Sequence, residues 1–242
     1  MKLVRFMALA LVALIAIPAV MGQSGSSSSE MTVEEAYLQE AIEMMIIRET
    51  SRSDSREQKL IALEYIGYAI DRGNTSDEIR FTLEYLSMEG TQNRVREKGR
   101  LMNDYPEVRR AAAKHLGTMG TQEAKTALIR ICTTEAEPMV LQEAVKSLGL
   151  ISTDNDDDAV SAIVWIANRF NNTTAPDNLL ALATIESLDK IASRNKGLRD
   201  PTAVQLLIRI AEGPYASPVK ERAKQAIIDL RKYAASSQRE QR

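Results

Sequence analysis

Apolar residues recur four and eight positions apart in several segments of the chain. In one segment they are Val108, Ala112 and Leu116, and the segment 140–149 repeats the pattern. This spacing places the apolar groups on one face of an α-helix. The pattern therefore predicts amphipathic helices that each bury one face.

The pattern predicts that these helices form a repeated unit. The matching segments are 58–67, 108–117, 140–149, 179–189 and 219–228. Each of the first four is followed by a turn and a second predicted helix, at 76–88, 121–131, 157–170 and 200–211. Ser76, Thr121, Asp157 and Asp200 are the predicted N-caps of these second helices. A lone helical pair cannot bury both of its faces, so about four stacked pairs that share one core are expected.

Additional helices are predicted at both ends of this array. Thr32 and Glu35 form a capping-box pattern at the start of a helix that is expected to reach about Arg48. The apolar stripe of this helix is Leu38, Ala41, Ile42, Met45 and Ile46. A last helix at about 217–235 has an apolar side and a charged side, as a terminal cap requires. Residues 91–104 fit no repeat and are expected to be a long connector or an extra turn.

Residues 106–131 carry the clearest resemblance to a known family. The stretch PEVRRAAAKHLGTMGTQEAKTALIRI is similar to a HEAT-type repeat of the short bacterial kind. The matching positions are Pro106, Val108, Arg109, Ala112, Leu116, Gly117, Gly120, Ala124 and Leu128. The resemblance implies an all-α solenoid of about four HEAT-like hairpins plus capping helices. It also implies a role in binding proteins, although some members of the family are enzymes.

The first 22 residues differ from the rest of the chain. Lys2 and Arg5 precede an uncharged apolar run, residues 6–20, which is short for a bilayer span of about 20 residues. We therefore predict a signal peptide at 1–22, a flexible Ser/Gly-rich leader at 23–30 and a HEAT-like domain at 31–242. An uncleaved anchor is the alternative. The sole cysteine, Cys132, lies far from the run, so we expect a periplasmic or secreted protein without a lipid anchor.

Charge restricts the kind of partner. The chain has 31 basic and 33 acidic residues, so a nucleic-acid partner is not expected. Residues 93–115 and the tail from Val219 are locally basic. They are expected to be solvated helix faces, with contact to anionic lipid, wall polymer or an acidic partner as the alternatives. The oligomeric state is left open.

No arrangement of residues predicts catalysis, a cofactor or a metal site. His115 is the only histidine and occupies the slot that Ser147 and Ser187 fill in other repeats, so a non-catalytic role is expected. Cys132 follows an apolar stripe and is expected to be buried. Residues 153–159 begin like a calcium loop, but Ala159 stands where that loop needs glycine.

Trp165 is the most informative candidate for binding. On a helical wheel it projects nearly opposite the apolar stripe of its helix, so it is either an exposed anchor or covered by a neighbouring element. The resemblance implies that second helices line the concave face of the solenoid. We therefore predict a groove that binds a protein partner through Glu84, Ile129, Trp165, Asn168, Arg169 and Arg209. The expected function is a non-enzymatic scaffold in a cell-envelope assembly. The alternatives are an accessory factor or enzyme with an unrecognised site, or a self-assembling subunit.

Overall fold

The computed structural model of the protein describes residues 32–151 and 156–240. Over these residues the chain forms ten α-helices in two layers. The first layer contains α2 (Arg56–Asp71), α4 (Pro106–Met119), α6 (Pro138–Leu150), α8 (Asn178–Asn195) and α10 (Ser217–Glu240). The second contains α1 (Val33–Arg52), α3 (Asp77–Ser87), α5 (Gln122–Thr134), α7 (Asp157–Asn171) and α9 (Pro201–Glu212).

Successive helices of each layer pack side by side, and the apolar core lies between the layers. In the first layer α2 contacts α4, α4 contacts α6, α6 contacts α8 and α8 contacts α10. The predicted anchors Val108, Ala112 and Leu116 of α4 are fully buried in this core. The predicted all-α solenoid is therefore confirmed, with the helices where the repeat pattern placed them.

Most helix ends have the predicted chemistry. The hydroxyl of Thr32 accepts a bond from Glu35 N, and the Glu35 carboxylate accepts one from Thr32 N. The Thr121 and Asp200 side chains cap α5 and α9 as predicted. Ser76 is the N-cap of α3 as predicted, although its side chain makes no capping bond. The prediction for α7 was wrong by one residue, because its N-cap is Asp156 and not Asp157.

The structure corrects the prediction for α1. The helix continues to Arg52, one turn beyond the expected end. Leu38, Ile42 and Met45 are exposed, whereas Ile47 is buried. The predicted stripe therefore turns away from the core, because this helix lies at the end of the second layer and contacts only α2 and α3.

Residues 91–104 belong to a long connector between α3 and α4, as predicted, and not to an extra helical turn. The connector contains a small β-hairpin of β1 (Arg96–Glu97) and β2 (Arg100–Leu101). The prediction that basic residues in 93–115 lie on solvated faces fails at Arg109, which is buried. The predicted signal peptide and leader lie outside the described residues. Within those residues, no helix is both long and apolar enough to cross a membrane.

Candidate protein-binding surface

The second layer presents one side to α2, α4, α6, α8 and α10 and the opposite side to solvent. We call the solvent side the outer face. Helices α3, α5, α7 and α9 each bury an apolar stripe against the core and project the residues on the opposite side outward. The large side chains on the outer face are Phe81, Tyr85, Ile129, Arg130, Trp165, Arg169, Ile208 and Arg209.

Trp165 lies exposed near the middle of the outer face. Its helix buries Val160, Ile163 and Val164, and the tryptophan projects away from them with 43% of its surface accessible. The Arg169 guanidinium, one turn along the helix, lies 5.0 Å from the centre of the tryptophan ring. Within residues 32–151 and 156–240, no loop or neighbouring repeat covers Trp165. A cation over the ring attracts the indole and so favours contact between the two side chains.

Arg209 is oriented by the neighbouring helix of the layer. Its guanidinium donates to the Asn168 side-chain oxygen over 2.6 Å, which joins α9 to α7. The apolar residue that projects outward beside it is Ile208. Arg209 therefore lies beside the apolar part of the face and next to the end of α7.

Glu84, one of the six predicted binding residues, has a carboxylate that is largely shielded from solvent. Its carboxylate accepts bonds from Arg80 over 2.5 Å and from Arg130 of α5 over 2.9 Å. Ile129, the adjacent predicted residue, is half-buried and packs against the core. The acid thus joins α3 to α5 and leaves Arg130 as the more accessible charged group.

Two aromatic residues of α3 were missed by the sequence reasoning. Phe81 is 59% exposed with the Arg80 guanidinium 4.1 Å from its ring centre, and Tyr85 is also exposed. Phe81 projects opposite the buried Ile79 and Leu83, whereas Tyr85 lies at the edge of the outer face, with its ring centre 5.4 Å from the Lys59 ammonium of α2. The same wheel argument that singled out Trp165 would have found them, because it depends only on where the apolar stripe lies.

His115 lies in the first layer, away from this surface. Its ring packs over Gly67 of α2, and burial, with the adjacent Lys114 charge, lowers its pKa. Ser147 and Ser187 occupy the same slot and pack over Gly117 and Gly149 of the preceding helices. The imidazole is therefore one member of a repeated helix-packing contact.

Cys132 is fully buried, as predicted, and burial raises the pKa of its thiol to about 12. The described acids of 153–159 are paired with cations. Asp158 lies 2.9 Å from the Lys125 ammonium, and Asp156 lies 3.5 Å from the Arg194 guanidinium. Over residues 32–151 and 156–240, no cluster of three or more His, Cys, Asp or Glu side chains is placed to hold a metal ion.

Comparison with known proteins identifies part of this array. Searches of curated proteins and of solved structures gave no match. Residues 100–172, which include α4 to α7, match a family model described as HEAT repeats. These repeats are generally protein-interaction scaffolds. Helices α4 to α7 are thus HEAT-like repeats, and the flanking helices continue their two-layer packing.

Proposed function

We propose that the protein is a non-enzymatic scaffold that binds a protein partner through the outer face. The observation that carries the proposal is the exposure of Trp165, Phe81 and Tyr85 on a layer whose arginines are oriented by neighbouring side chains. Tryptophan, tyrosine and arginine dominate the energy of protein interfaces. Side chains restrained before binding also lose less entropy when a partner docks.

Side-chain contacts between neighbouring helices of the outer face support this proposal. Glu84 and Arg130 join α3 to α5, and Asn168 and Arg209 join α7 to α9. A partner would therefore meet a row of helices whose relative positions are set before binding. Such a surface suits recognition by shape and by a few anchoring side chains.

We also propose that the protein is exported and acts in a cell-envelope assembly. The support is the basic start and apolar run of residues 1–22. After expression in a secretion-competent host, intact-mass measurement should show a mature chain that begins at about Gln23. A chain that retains residues 1–22 would contradict a cleaved signal peptide without affecting the proposed binding surface.

The binding proposal is tested by capture from envelope extracts, with wild type, Trp165→Ala and Leu179→Ala as baits. Leu179 is an exposed apolar residue of α8 in the first layer, so it is a matched control. We expect Trp165→Ala to weaken capture of a partner by about 30-fold, as for an interface anchor. Leu179→Ala should capture the partner as wild type does.

Both variants should keep the far-UV circular dichroism and melting temperature of wild type, because both side chains are exposed. Equal capture by wild type and Trp165→Ala would refute a role for Trp165.

The alternative of a self-assembling subunit predicts that the mass measured by light scattering rises with protein concentration. A mass that stays that of a monomer would exclude that alternative. If an activity is found and substitution of polar residues on the outer face abolishes it, the protein is an enzyme or an accessory factor.

A further inference from the structure

The connection between α3 and α4 is unusually long. It comprises the 18 residues 88–105, whereas the other inter-helix connections after Thr32 have two to six residues. Connections of more than about 12 residues within a compact array are uncommon and are often functional. The turn between α4 and α5 needs only Gly120 and Thr121, so joining two stacked helices does not require such length.

The long connection forms a β-hairpin with an exposed tip. Lys98 and Gly99, between β1 and β2, both have positive φ, 49° and 85°. Positive φ at both central residues is typical of a type I′ turn, whose twist matches that of paired strands. All residues from 94 to 100 are exposed. The tip thus projects from the helical layers with a defined backbone.

The hairpin is held at its base by Asn103. The side-chain oxygen of Asn103 accepts from Val95 N over 2.8 Å, and its amide donates to Asn93 O over 2.6 Å. The same amide donates to the Glu89 carboxylate over 2.7 Å. Glu89 is in turn paired with Lys59 of α2 over 3.1 Å, and both of these side chains are buried.

A second buried ion pair supports the same base. The Arg109 guanidinium donates to the Glu135 carboxylate over 2.7 Å and to the backbone oxygen of Glu89 over 3.0 Å. It also contacts the Asp104 carboxylate over 2.8 Å. Burial of charges costs free energy that their pairing only partly offsets. Through its bonds to Glu89 and Asp104, Arg109 fixes both ends of the long connection to the helices.

The hairpin tip concentrates positive charge in an otherwise acidic protein. Arg94, Arg96, Lys98 and Arg100 accompany one acid, Glu97, while the whole chain has a net charge of −2. None of the four cations forms an ion pair with an acid among the described residues. Arg94 and Arg96 instead donate to backbone oxygens of Thr91 and Gly99. Their charges are therefore available to an external anion.

One face of the hairpin also carries an apolar pair. Met102 N donates to Val95 O over 2.9 Å, so the two side chains are neighbours across the ladder. Val95 is 50% exposed and Met102 is 44% exposed. Side chains alternate along each strand, so Val95 and Met102 share a face with Arg100 and Glu97, while Arg96 projects from the other face. An apolar pair beside Arg100 matches a ligand that carries an apolar group next to an acid.

We propose that this hairpin, residues 94–102, is a docking element for a short acidic segment of a partner protein that contains an apolar residue. The net negative charge of the whole chain opposes approach to an extended polyanion such as a nucleic acid or an anionic bilayer. A short peptide interacts mainly with charges within a Debye length of about 8 Å, where the hairpin is positive. The hairpin is a separate element from the outer face through Trp165.

The probe for the test is a fluorescein-labelled peptide of eight Glu residues with one central Leu, and binding is followed by fluorescence anisotropy. The test variant is Arg96→Gln/Lys98→Gln/Arg100→Gln. The control variant is Lys114→Gln/Lys190→Gln/Arg231→Gln, which removes three exposed cations of the first layer. We expect the test variant to bind about tenfold more weakly and the control to bind like wild type.

Added salt should weaken binding of the peptide to wild type, and replacement of its Glu residues by Gln should abolish it. All three proteins should melt at the same temperature, because the substituted side chains are exposed.

Absence of peptide binding, or equal weakening in both variants, would overturn the proposal. Tighter hairpin-dependent binding of phosphatidylglycerol vesicles or of a short DNA duplex would overturn the assignment to a protein segment. Trp165→Ala should leave peptide binding unchanged, which separates this proposal from the scaffold function.

Discussion

At the scale of single residues, the slot occupied by His115 sets the spacing of the first layer. In three successive contacts the residue before the core leucine packs on a glycine of the preceding helix. The contacts are His115 on Gly67, Ser147 on Gly117 and Ser187 on Gly149. The glycines are needed because the approaching side chains leave no space for a β-carbon. The histidine is an exception in residue type but not in position.

These contacts predict unequal effects of alanine substitution at Gly117 and Gly67. A β-carbon at Gly117 would lie 2.5 Å from the Ser147 hydroxyl oxygen and 2.9 Å from its Cα, so the helices must separate. At Gly67 the obstacle is only the tip of His115, at 2.8 Å. We expect Gly117→Ala to cost about 1–3 kcal/mol in urea unfolding, despite the higher helix propensity of alanine.

Gly67→Ala should lower the unfolding free energy by less than Gly117→Ala does. Adding His115→Ala to the Gly67→Ala protein should remove the steric part of that loss. A Gly117→Ala protein as stable as wild type would show that the two helices are not in close contact.

The half-buried His115 also predicts a pH dependence of stability. Burial, followed by the Lys114 charge, lowers the pKa below its ordinary value of 6.5. The unfolded chain therefore binds the proton more readily, so this contribution to stability is complete above pH 6.5 and declines as the pH falls below it. We expect His115→Ser to lose less stability than wild type between pH 8 and pH 5.5, as measured by urea unfolding. Parallel pH profiles of the two proteins would contradict the assignment.

At the scale of elements, charged residues that look solvent-facing in the sequence hold the long connection to the helices. Lys59 and Arg109 occupy corresponding positions near the start of α2 and α4. Each pairs with an acid that follows the next second-layer helix, Glu89 after α3 and Glu135 after α5. The pairing repeats in space, yet the acids lie 30 and 26 residues further along the chain. Helical periodicity alone does not reveal such contacts.

The pair between Arg109 and Glu135 predicts a large effect of removing the acid. Glu135→Ala leaves the buried guanidinium without its main partner, which should cost about 3–5 kcal/mol. The control is Glu221→Ala, which breaks an exposed pair with Lys224 and should not measurably change stability. Thermal and urea unfolding of both variants provide the measurement. A double substitution of Arg109 and Glu135 by leucine should be less destabilising than Glu135→Ala, and a more severe effect would contradict this interpretation.

At the scale of the whole molecule, stability depends on how many neighbours each helix has. α6 packs against α4 and α8 in its own layer and against α5 and α7 in the other. α1 lies at one end, and its first ten residues have no buried side chain among those described. In a stack of this kind the ends open at lower free energy than the centre.

This arrangement predicts a gradient of amide hydrogen exchange. Backbone amides of α4, α6 and α8 should exchange most slowly, and those of residues 33–42 should exchange fastest. Mass spectrometry of peptides from the native protein gives the comparison. A further variant, Leu38→Gln, should leave the unfolding free energy unchanged, whereas Ile47→Ala should lower it by about 2–5 kcal/mol. Slow exchange throughout α1 would indicate that its exposed side is covered, for example by a second copy.

The sequence by itself determined which residues form helices, how the helices repeat and which side of most of them is buried. These features follow from local periodicity, from caps such as Thr121 and from the left-handed Gly120 that ends α4. Only the tertiary structure decided that the stripe of α1 faces solvent and that Trp165 is exposed. It also decided that Glu84 is tied to Arg130 and that Arg109 is buried beneath a β-hairpin. The physical reason is that a side chain's exposure and ion pairing depend on neighbours tens of residues away, which no periodicity within a single helix encodes.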